Sequence, residues 1–172
     1  EVSSYQLQYS KFFQSNHAVI LNISPDHLER HKDMKSYVRT KFRIFRGQKK
    51  GNFSYINNQA KYSSSIIKNF RLKKLKSRLV NVNKEDCNYI LKKIKNSYFK
   101  INCNIENLSF VYKIAKKLKI NDSVIIDALN QFKGLKHRQK IIFSNRKITC
   151  IDDSKATSFD ATLQSLISYN KI

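Results

Sequence analysis

The chain has 172 residues, and 41% of them are hydrophobic, which is enough to build a packed core and excludes wholesale disorder. Basic residues number 34 against 12 acidic ones, giving a net charge of +22. Most are lysines spread along the whole sequence without a zinc finger or an aromatic-rich RNA-binding signature, so the charge favours a basic surface over nucleic-acid binding. No apolar run approaches the roughly 18 residues that a membrane-spanning helix needs.

The first half of the chain alternates strand patterns with helical ones. Strands are predicted at 17–23, 52–56 and 76–82, with helices at 32–45 and 64–70 between them. The first strand is apolar on both faces, which is typical of a parallel sheet covered by helices. This half therefore predicts an α/β fold.

The middle of the chain is harder to assign. The 83–102 segment is polar, and short antiparallel strands are one possibility for it. Two amphipathic helices are predicted after it, with Asp122 or Ser123 capping the second. Their apolar stripes are Leu108, Val111, Ala115 and Leu118 in the first, and Ile125, Ala128, Leu129 and Phe132 in the second.

A domain boundary is predicted near Gly134, the residue expected to end the second helix. Residues 1–134 then form the rear half of a mostly parallel-sheet α/β domain. Residues 135–172 form the opening strand, strand and helix of a second, Rossmann-like one. The segments 141–143 and 148–151 are predicted to pair as a hairpin.

The cysteines and the ends of the sequence indicate its context. Cys87, Cys103 and Cys150 are far apart and odd in number, as expected of thiols in a reducing compartment, so a cytoplasmic location is predicted. The sequence begins at Glu1 rather than methionine and closes within a helical pattern at 160–169. We therefore expect an interior fragment of a longer protein.

Polar side chains follow the first predicted strand. Asp26 and His27 come shortly after the apolar 17–23 segment, and the next helix carries Lys41 back toward them. Tyr37 and Lys41 are one turn apart on the same side of that helix. In open α/β sheets ligands bind beyond the carboxyl ends of the strands, so a functional site is predicted here.

A zinc-protease motif is excluded at the same place. His27 and His31 have the required spacing of four residues, but the acidic residue is Glu29 instead of the residue directly after the first histidine. His31 is expected to be a local hydrogen-bonding residue.

Four blocks of the sequence resemble, in order, the Mur ligases, which are ATP-dependent enzymes that add amino acids to the peptidoglycan precursor. The blocks are 1–7, 19–45, 104–107 and 134–157. The resemblance implies that ATP phosphorylates a substrate carboxylate with the help of Mg²⁺, and that the amine of the incoming amino acid then attacks the acyl phosphate. It makes residues 1–134 the C-terminal part of the ATP-binding domain and 135–172 the start of the amino-acid-binding domain. The glycine-rich phosphate loop is absent from the sequence, so these residues alone are expected to be inactive.

The resemblance assigns catalytic and metal-binding roles to Glu1, His27 and Lys41. Glu1 falls on the glutamate of a Glu-x-Ser-Ser-Phe-Gln-Leu element that ligates one Mg²⁺, and His27 falls on the histidine for the second. Lys41 falls on a lysine that becomes carbamylated, which is chemically reasonable because CO₂ reacts with a neutral amine and burial favours that form. Tyr5 replaces the commoner phenylalanine, and Gln8 stands where an acidic residue is usual.

Nucleotide-binding roles are implied for four residues. Asn104 and Asn107 resemble a His-Asn-x-x-Asn element at the start of a helix that faces the nucleotide, with Cys103 in place of the histidine. Taken alone, this spacing is equally a helix-cap signal, and both interpretations stay open. Arg138 offers a fork of donors suited to phosphate, and Asp153 is suited to accept hydrogen bonds from ribose hydroxyls.

The 151–157 segment resembles the Asn-Asp-Ser-Lys-Ala-Thr-Asn element of the family branch that adds D-glutamate to UDP-N-acetylmuramoyl-L-alanine. Asp152 and Ser158 replace its two asparagines. The resemblance implies that Lys155 and Thr157 meet the carboxylate oxygens of D-glutamate, and that the full-length protein is monomeric. The alternatives are another Mur ligase, a folylpolyglutamate synthase, a non-catalytic relative and, in a different class, a basic nucleic-acid-binding module.

Overall fold

The computed structural model describes residues 1–72 and 75–167. The chain divides into two compact units, Glu1–Asn83 and Lys84–Ile172. The domain boundary predicted near Gly134 lies inside the second unit and stays a prediction. No helix in the described ranges combines the length and the apolar character that a membrane crossing requires.

The first unit is built on a three-stranded parallel sheet in the order β1–β2–β3. The strands are β1 (His17–Ile20), β2 (Phe53–Asn57) and β3 (Arg78–Val82). Parallel strands need long crossover connections, and helices supply them here. The predicted α/β class with a parallel sheet is confirmed.

Four helices and a single 3₁₀ turn accompany this sheet. They are α1 (Ser4–Tyr9), α2 (Leu28–His31), α3 (Met34–Phe42), the 3₁₀ turn Arg43–Phe45 and α4 (Ser63–Leu72). Helix α3 begins after Asp33, whose carboxylate accepts a hydrogen bond from the Ser36 amide at 2.7 Å. Strand β1 ends three residues earlier than predicted, so residues 21–27 form a loop at its carboxyl end.

Aromatic side chains from α3 and the following turn fill the core of the first unit. Phe42 and Phe45 are almost wholly buried, and their rings meet edge to face at 5.7 Å. They pack with Ile56 of β2 and Ala18 of β1, which fixes α3 against the sheet. The helix that carries Lys41 is therefore held in place by buried apolar area.

The second unit is mainly helical. Its elements are the 3₁₀ turns Lys84–Cys87 and Ser97–Lys100, the helices α5 (Asn88–Leu91), α6 (Asn102–Lys117), α7 (Asp122–Gln131) and α8 (Phe159–Ile167), and the strands β4 (Lys140–Ser144) and β5 (Thr149–Asp152). Strands β4 and β5 pair antiparallel, which confirms the predicted hairpin. The 83–102 segment, for which short antiparallel strands were one possibility, instead holds the two 3₁₀ turns and the short helix α5. The end of the helix predicted at 160–169 lies outside the described residues.

The buried face of α6 is rotated from the predicted stripe. Leu108 and Ala115 are buried, but Val111 and Leu118 are more than half exposed. The hydroxyl of Ser109 donates to the Lys84 carbonyl at 3.2 Å, which turns that side of the helix inward. This hydrogen bond accompanies the burial of that side of the helix.

The predicted ends of α7 are also wrong. Its N-cap is Asn121, which makes no side-chain capping hydrogen bond, so neither Asp122 nor Ser123 caps the helix. The helix ends at Gln131, before Gly134, which has a φ of 81° in the turn beyond.

Candidate active site

The loop after β1 presents Asp26 and His27 together. His27 has φ 53° and ψ 33°, a left-handed conformation that is uncommon for a residue with a Cβ atom. The Asp26 carboxylate accepts a hydrogen bond from the His27 amide at 3.0 Å, and its other oxygen lies 3.4 Å from His27 Nε2. Asp26 therefore holds the turn that directs the imidazole.

Lys41 lies on α3 in a partly buried position. Its Nζ is 5.6 Å from the centroid of the Tyr37 ring, as expected for residues one turn apart. Burial lowers the pKa of Lys41, and the negative charges of Glu1 and Asp26 oppose this shift without reversing it. A lowered pKa increases the fraction of neutral amine at neutral pH.

Asp26 relates the predicted residues His27 and Lys41, and Glu1 acts on Lys41 through its charge; these four residues are called the first cluster. The charges of Glu1 and Asp26 both act on Lys41, and Asp26 also touches His27. Burial raises the pKa of the Tyr37 hydroxyl, and the charge of Asp26 raises it further. Asp26 lies in the loop where the site was predicted but was given no role there, although its position directly before His27 is a signal that could have identified one.

Beneath this cluster lies a second layer of aromatic and hydrogen-bonding side chains. His31 is buried, and its Nε2 pairs with the Ser4 hydroxyl at 3.0 Å. Its ring lies 5.1 Å from Tyr37, and the Tyr5 ring is edge-on to His27 at 5.2 Å. The predicted hydrogen-bonding role of His31 is confirmed.

The donor set of the first unit fits Mg²⁺ bound together with a nucleotide. Within the described residues, no three His, Cys, Asp or Glu side chains are grouped so as to hold a metal ion alone. Proteins usually bind Mg²⁺ through one or two carboxylates, with waters and substrate phosphates completing the shell. Asp26 supplies a carboxylate of this kind beside His27, and Glu1 supplies a second whose charge acts on Lys41.

A second group of predicted residues lies in the second unit, around Tyr98. Asn104 is buried near the start of α6, and its Nδ2 donates to the Tyr98 carbonyl at 2.9 Å and to Gln139 Oε1 at 3.2 Å. The N-cap of α6 is Ile101, so Asn104 does not cap the helix. Asn107 is exposed one turn further along.

Arg138 and Asp153 also lie beside Tyr98. Burial raises the pKa of the Tyr98 hydroxyl, while the charge of Arg138 lowers it and that of Asp153 raises it. One carboxylate oxygen of Asp153 accepts a hydrogen bond from the Gln139 amide at 3.2 Å. The second unit thus brings together Asn104, Arg138 and Asp153.

The residues predicted to meet the amino acid lie on the same loop as Asp153. Lys155 and Thr157 are exposed, and the Lys155 amide donates to the His137 carbonyl at 3.0 Å. His137 Nδ1 pairs with Asp152 at 2.8 Å, and this hydrogen bond lowers the pKa of the Asp152 carboxyl. The loop is therefore tied to the turn that precedes β4.

Comparison with known proteins decides the family. Residues 1–125, most of the chain, match the Mur ligase middle domain. The chain belongs to the Mur ligase family. The resemblance noted in the sequence is confirmed, whereas the roles of the individual site residues stay predictions.

Relatives match along the whole chain. The UDP-N-acetylmuramoylalanine–D-glutamate ligase of Rickettsia felis is 32% identical over 100% of this chain and 41% of its own length. The enzymes of the same name from Rickettsia prowazekii and Pseudothermotoga lettingae are 32% and 31% identical and are covered over 42% and 40% of their lengths. The chain therefore spans about two fifths of these relatives.

The fold is also similar to a solved Mur ligase structure. MurF from Acinetobacter baumannii superposes with a TM-score of 0.65 over 90% of this chain and 38% of that one. Because the sequences are only 18% identical, this likeness supports the fold alone.

Proposed function

We propose that this chain is the central part of an ATP-dependent ligase that adds D-glutamate to UDP-N-acetylmuramoyl-L-alanine during peptidoglycan synthesis in the cytoplasm. Family membership and the names of the relatives support the ligase class. The 151–157 segment, which resembles the D-glutamate-adding branch, supports the choice of amino acid.

One observation carries the proposal: Lys41 is partly buried with a lowered pKa, the charges of Glu1 and Asp26 both act on it, and Asp26 in turn lies 3.4 Å from His27. The neutral amine of Lys41 attacks the carbon of CO₂ and releases a proton, which converts the side chain into a carbamate with two anionic oxygens. Glu1 and His27 are the residues that would hold Mg²⁺ near it. Bound Mg²⁺–ATP supplies the phosphoryl group that activates the substrate carboxylate.

The second unit supplies binding groups in this proposal. Asn104, Asn107, Arg138 and Asp153 bind the nucleotide through amide, guanidinium and carboxylate groups. Lys155 and Thr157 bind D-glutamate. The exposure of Lys155 and Thr157 is consistent with contact to a diffusible small molecule.

The decisive test replaces Lys41 in the full-length protein that contains this chain. We expect Lys41→Ala to lower kcat by about 10²–10³-fold, the range found when a preorganised electrostatic group is removed. Added formate or acetate should restore part of the rate by supplying a carboxylate. Lys35→Ala is the matched control, because Lys35 is an exposed lysine on the same helix.

Two outcomes would contradict these assignments. An undiminished rate removes Lys41 from the site, and a low rate without rescue argues against the carbamate. A readout independent of activity is the carbamate signal in carbon NMR after addition of ¹³C-labelled bicarbonate. It should disappear in Lys41→Ala and persist in Lys35→Ala.

The amino acid is tested by ADP release. With ATP and UDP-N-acetylmuramoyl-L-alanine present, we expect release to depend on D-glutamate and not on alanine or diaminopimelate. Release with diaminopimelate instead would assign the protein to another branch of the family.

A further inference from the structure

Gln139 contacts two separate segments of the second unit. Its Oε1 accepts a hydrogen bond from Asn104 at 3.2 Å, and its Nε2 donates to the sulfur of Cys103 at 3.2 Å. Its backbone amide donates to the carboxylate of Asp153 at 3.2 Å. One residue thus joins the start of α6 to the loop after β5.

These contacts restrict the orientation of Asn104. A side-chain amide has two N–H donors, and Asn104 uses both, one on the Tyr98 carbonyl and one on Gln139. Its oxygen accepts a hydrogen bond from the Cys103 thiol at 3.8 Å, so the amide plane has a defined direction. Gln139 therefore decides how Asn104 is presented.

The backbone around Gln139 is unusual as well. His137 and Gln139 have φ values of 61° and 47°, a conformation that residues with a Cβ atom rarely adopt. Such strain persists only where the surroundings fix it, and the hydrogen bonds of Gln139 are among the contacts that do so. Arg138 lies between the two strained residues, so the direction of its guanidinium depends on this turn.

We propose that Gln139 is a positioning residue of the nucleotide site, which aligns Asn104 and Asp153 and fixes the turn that carries Arg138. The inference rests on the proposed function, because it takes these three residues as the nucleotide-binding groups. Gln139 also donates a hydrogen bond to Cys103, the residue that replaces the histidine of the family element. The ligand class is an adenine nucleotide.

The test measures binding of ADP with Mg²⁺ to the full-length protein by calorimetry. Gln139→Met keeps the length of the side chain but removes its hydrogen bonds to Asn104 and Cys103, while the backbone hydrogen bond to Asp153 remains. We expect ADP to bind about 10-fold more weakly, as for the loss of one effective hydrogen bond. Gln139→Glu keeps an acceptor for Asn104 and should recover part of the affinity. Gln131→Leu, an exposed glutamine of the same unit, is the matched control.

A double variant and the steady-state kinetics distinguish a positioning role of Gln139 from a merely structural one. If Gln139 acts through Asn104, adding Gln139→Met to Asn104→Ala causes little further loss, and the KM for ATP rises while kcat changes less than about twofold. The side-chain amide signals of Asn104 in a nitrogen–proton spectrum should also shift in Gln139→Met.

Three results would overturn the inference. They are unchanged ADP binding in Gln139→Met, an equal loss in Gln131→Leu, or additive losses in the double variant. If the unsubstituted protein binds no adenine nucleotide, the proposed function itself fails. The two failures are therefore distinguishable.

Discussion

The buried pair between Ser4 and His31 predicts an energetic coupling within the first unit. Ser4 is 2% exposed and His31 is 4% exposed, with 3.0 Å between the hydroxyl and Nε2. His31→Phe keeps an aromatic ring against Tyr5 and Tyr37 but removes the partner of a buried hydroxyl. Because that hydroxyl then loses a hydrogen bond without regaining water, we expect the free energy of unfolding to fall by about 1–3 kcal/mol.

The double variant separates the pair from its surroundings. Ser4→Ala alone leaves the imidazole without this partner, whereas Ser4→Ala with His31→Phe removes both groups. We expect the double variant to be less destabilised than the sum of the single changes by about 1 kcal/mol. Urea unfolding of the chain measures this difference, with the exposed Ser64→Ala as the uncoupled control. Additivity within about 0.5 kcal/mol would refute the coupling.

Two further predictions concern the same unit. Burial, aided by the positive charges of His27 and Arg30, lowers the pKa of His31 below its ordinary value of 6.5. As the pH falls below 6.5, the unfolded chain therefore binds more protons than the folded one. We therefore expect the urea midpoint to fall between about pH 7.5 and about pH 5.5, and to fall less in His31→Phe; equal shifts in both proteins would contradict this. Phe45 is wholly buried against Phe42, so Phe45→Ala should lower the free energy of unfolding by about 3–5 kcal/mol, and a loss below about 1 kcal/mol would contradict the packing.

The parallel sheet was predictable because its strands carry a strong local signal. Segments such as 17–23 are apolar on both faces, and polar turns or helical patterns separate them. The exact ends were not predictable, since β1 stops at Ile20 where the loop to His27 begins. The helical character of 83–102 was missed because its polar residues carry no clear period, while its order comes from burial of Cys87, Ile90 and Phe99.

The candidate site was predictable only where a side chain has a motif. Glu1, His27 and Lys41 fall on family elements; Asp26 contacts His27, and the charges of Asp26 and Glu1 act on Lys41. Gln139 has no such signal, because its contacts depend on a left-handed turn between residues far apart in sequence. The sequence pattern therefore identifies groups that contact ligands more readily than groups that orient them.

In the first cluster, the charges of the carboxylates link the state of Lys41 to the binding of a cation. Burial favours the neutral amine of Lys41, yet the carbamate of the proposed function would place a third negative group near Glu1 and Asp26. Three anionic groups in a partly buried cluster repel each other, and a divalent cation is what relieves that repulsion. By thermodynamic linkage, carbamylation of Lys41 would then strengthen Mg²⁺ binding by the same factor by which Mg²⁺ would strengthen carbamylation. In the proposed function, the lowered pKa of the lysine would make the carbamate accessible, and the cation would make it stable.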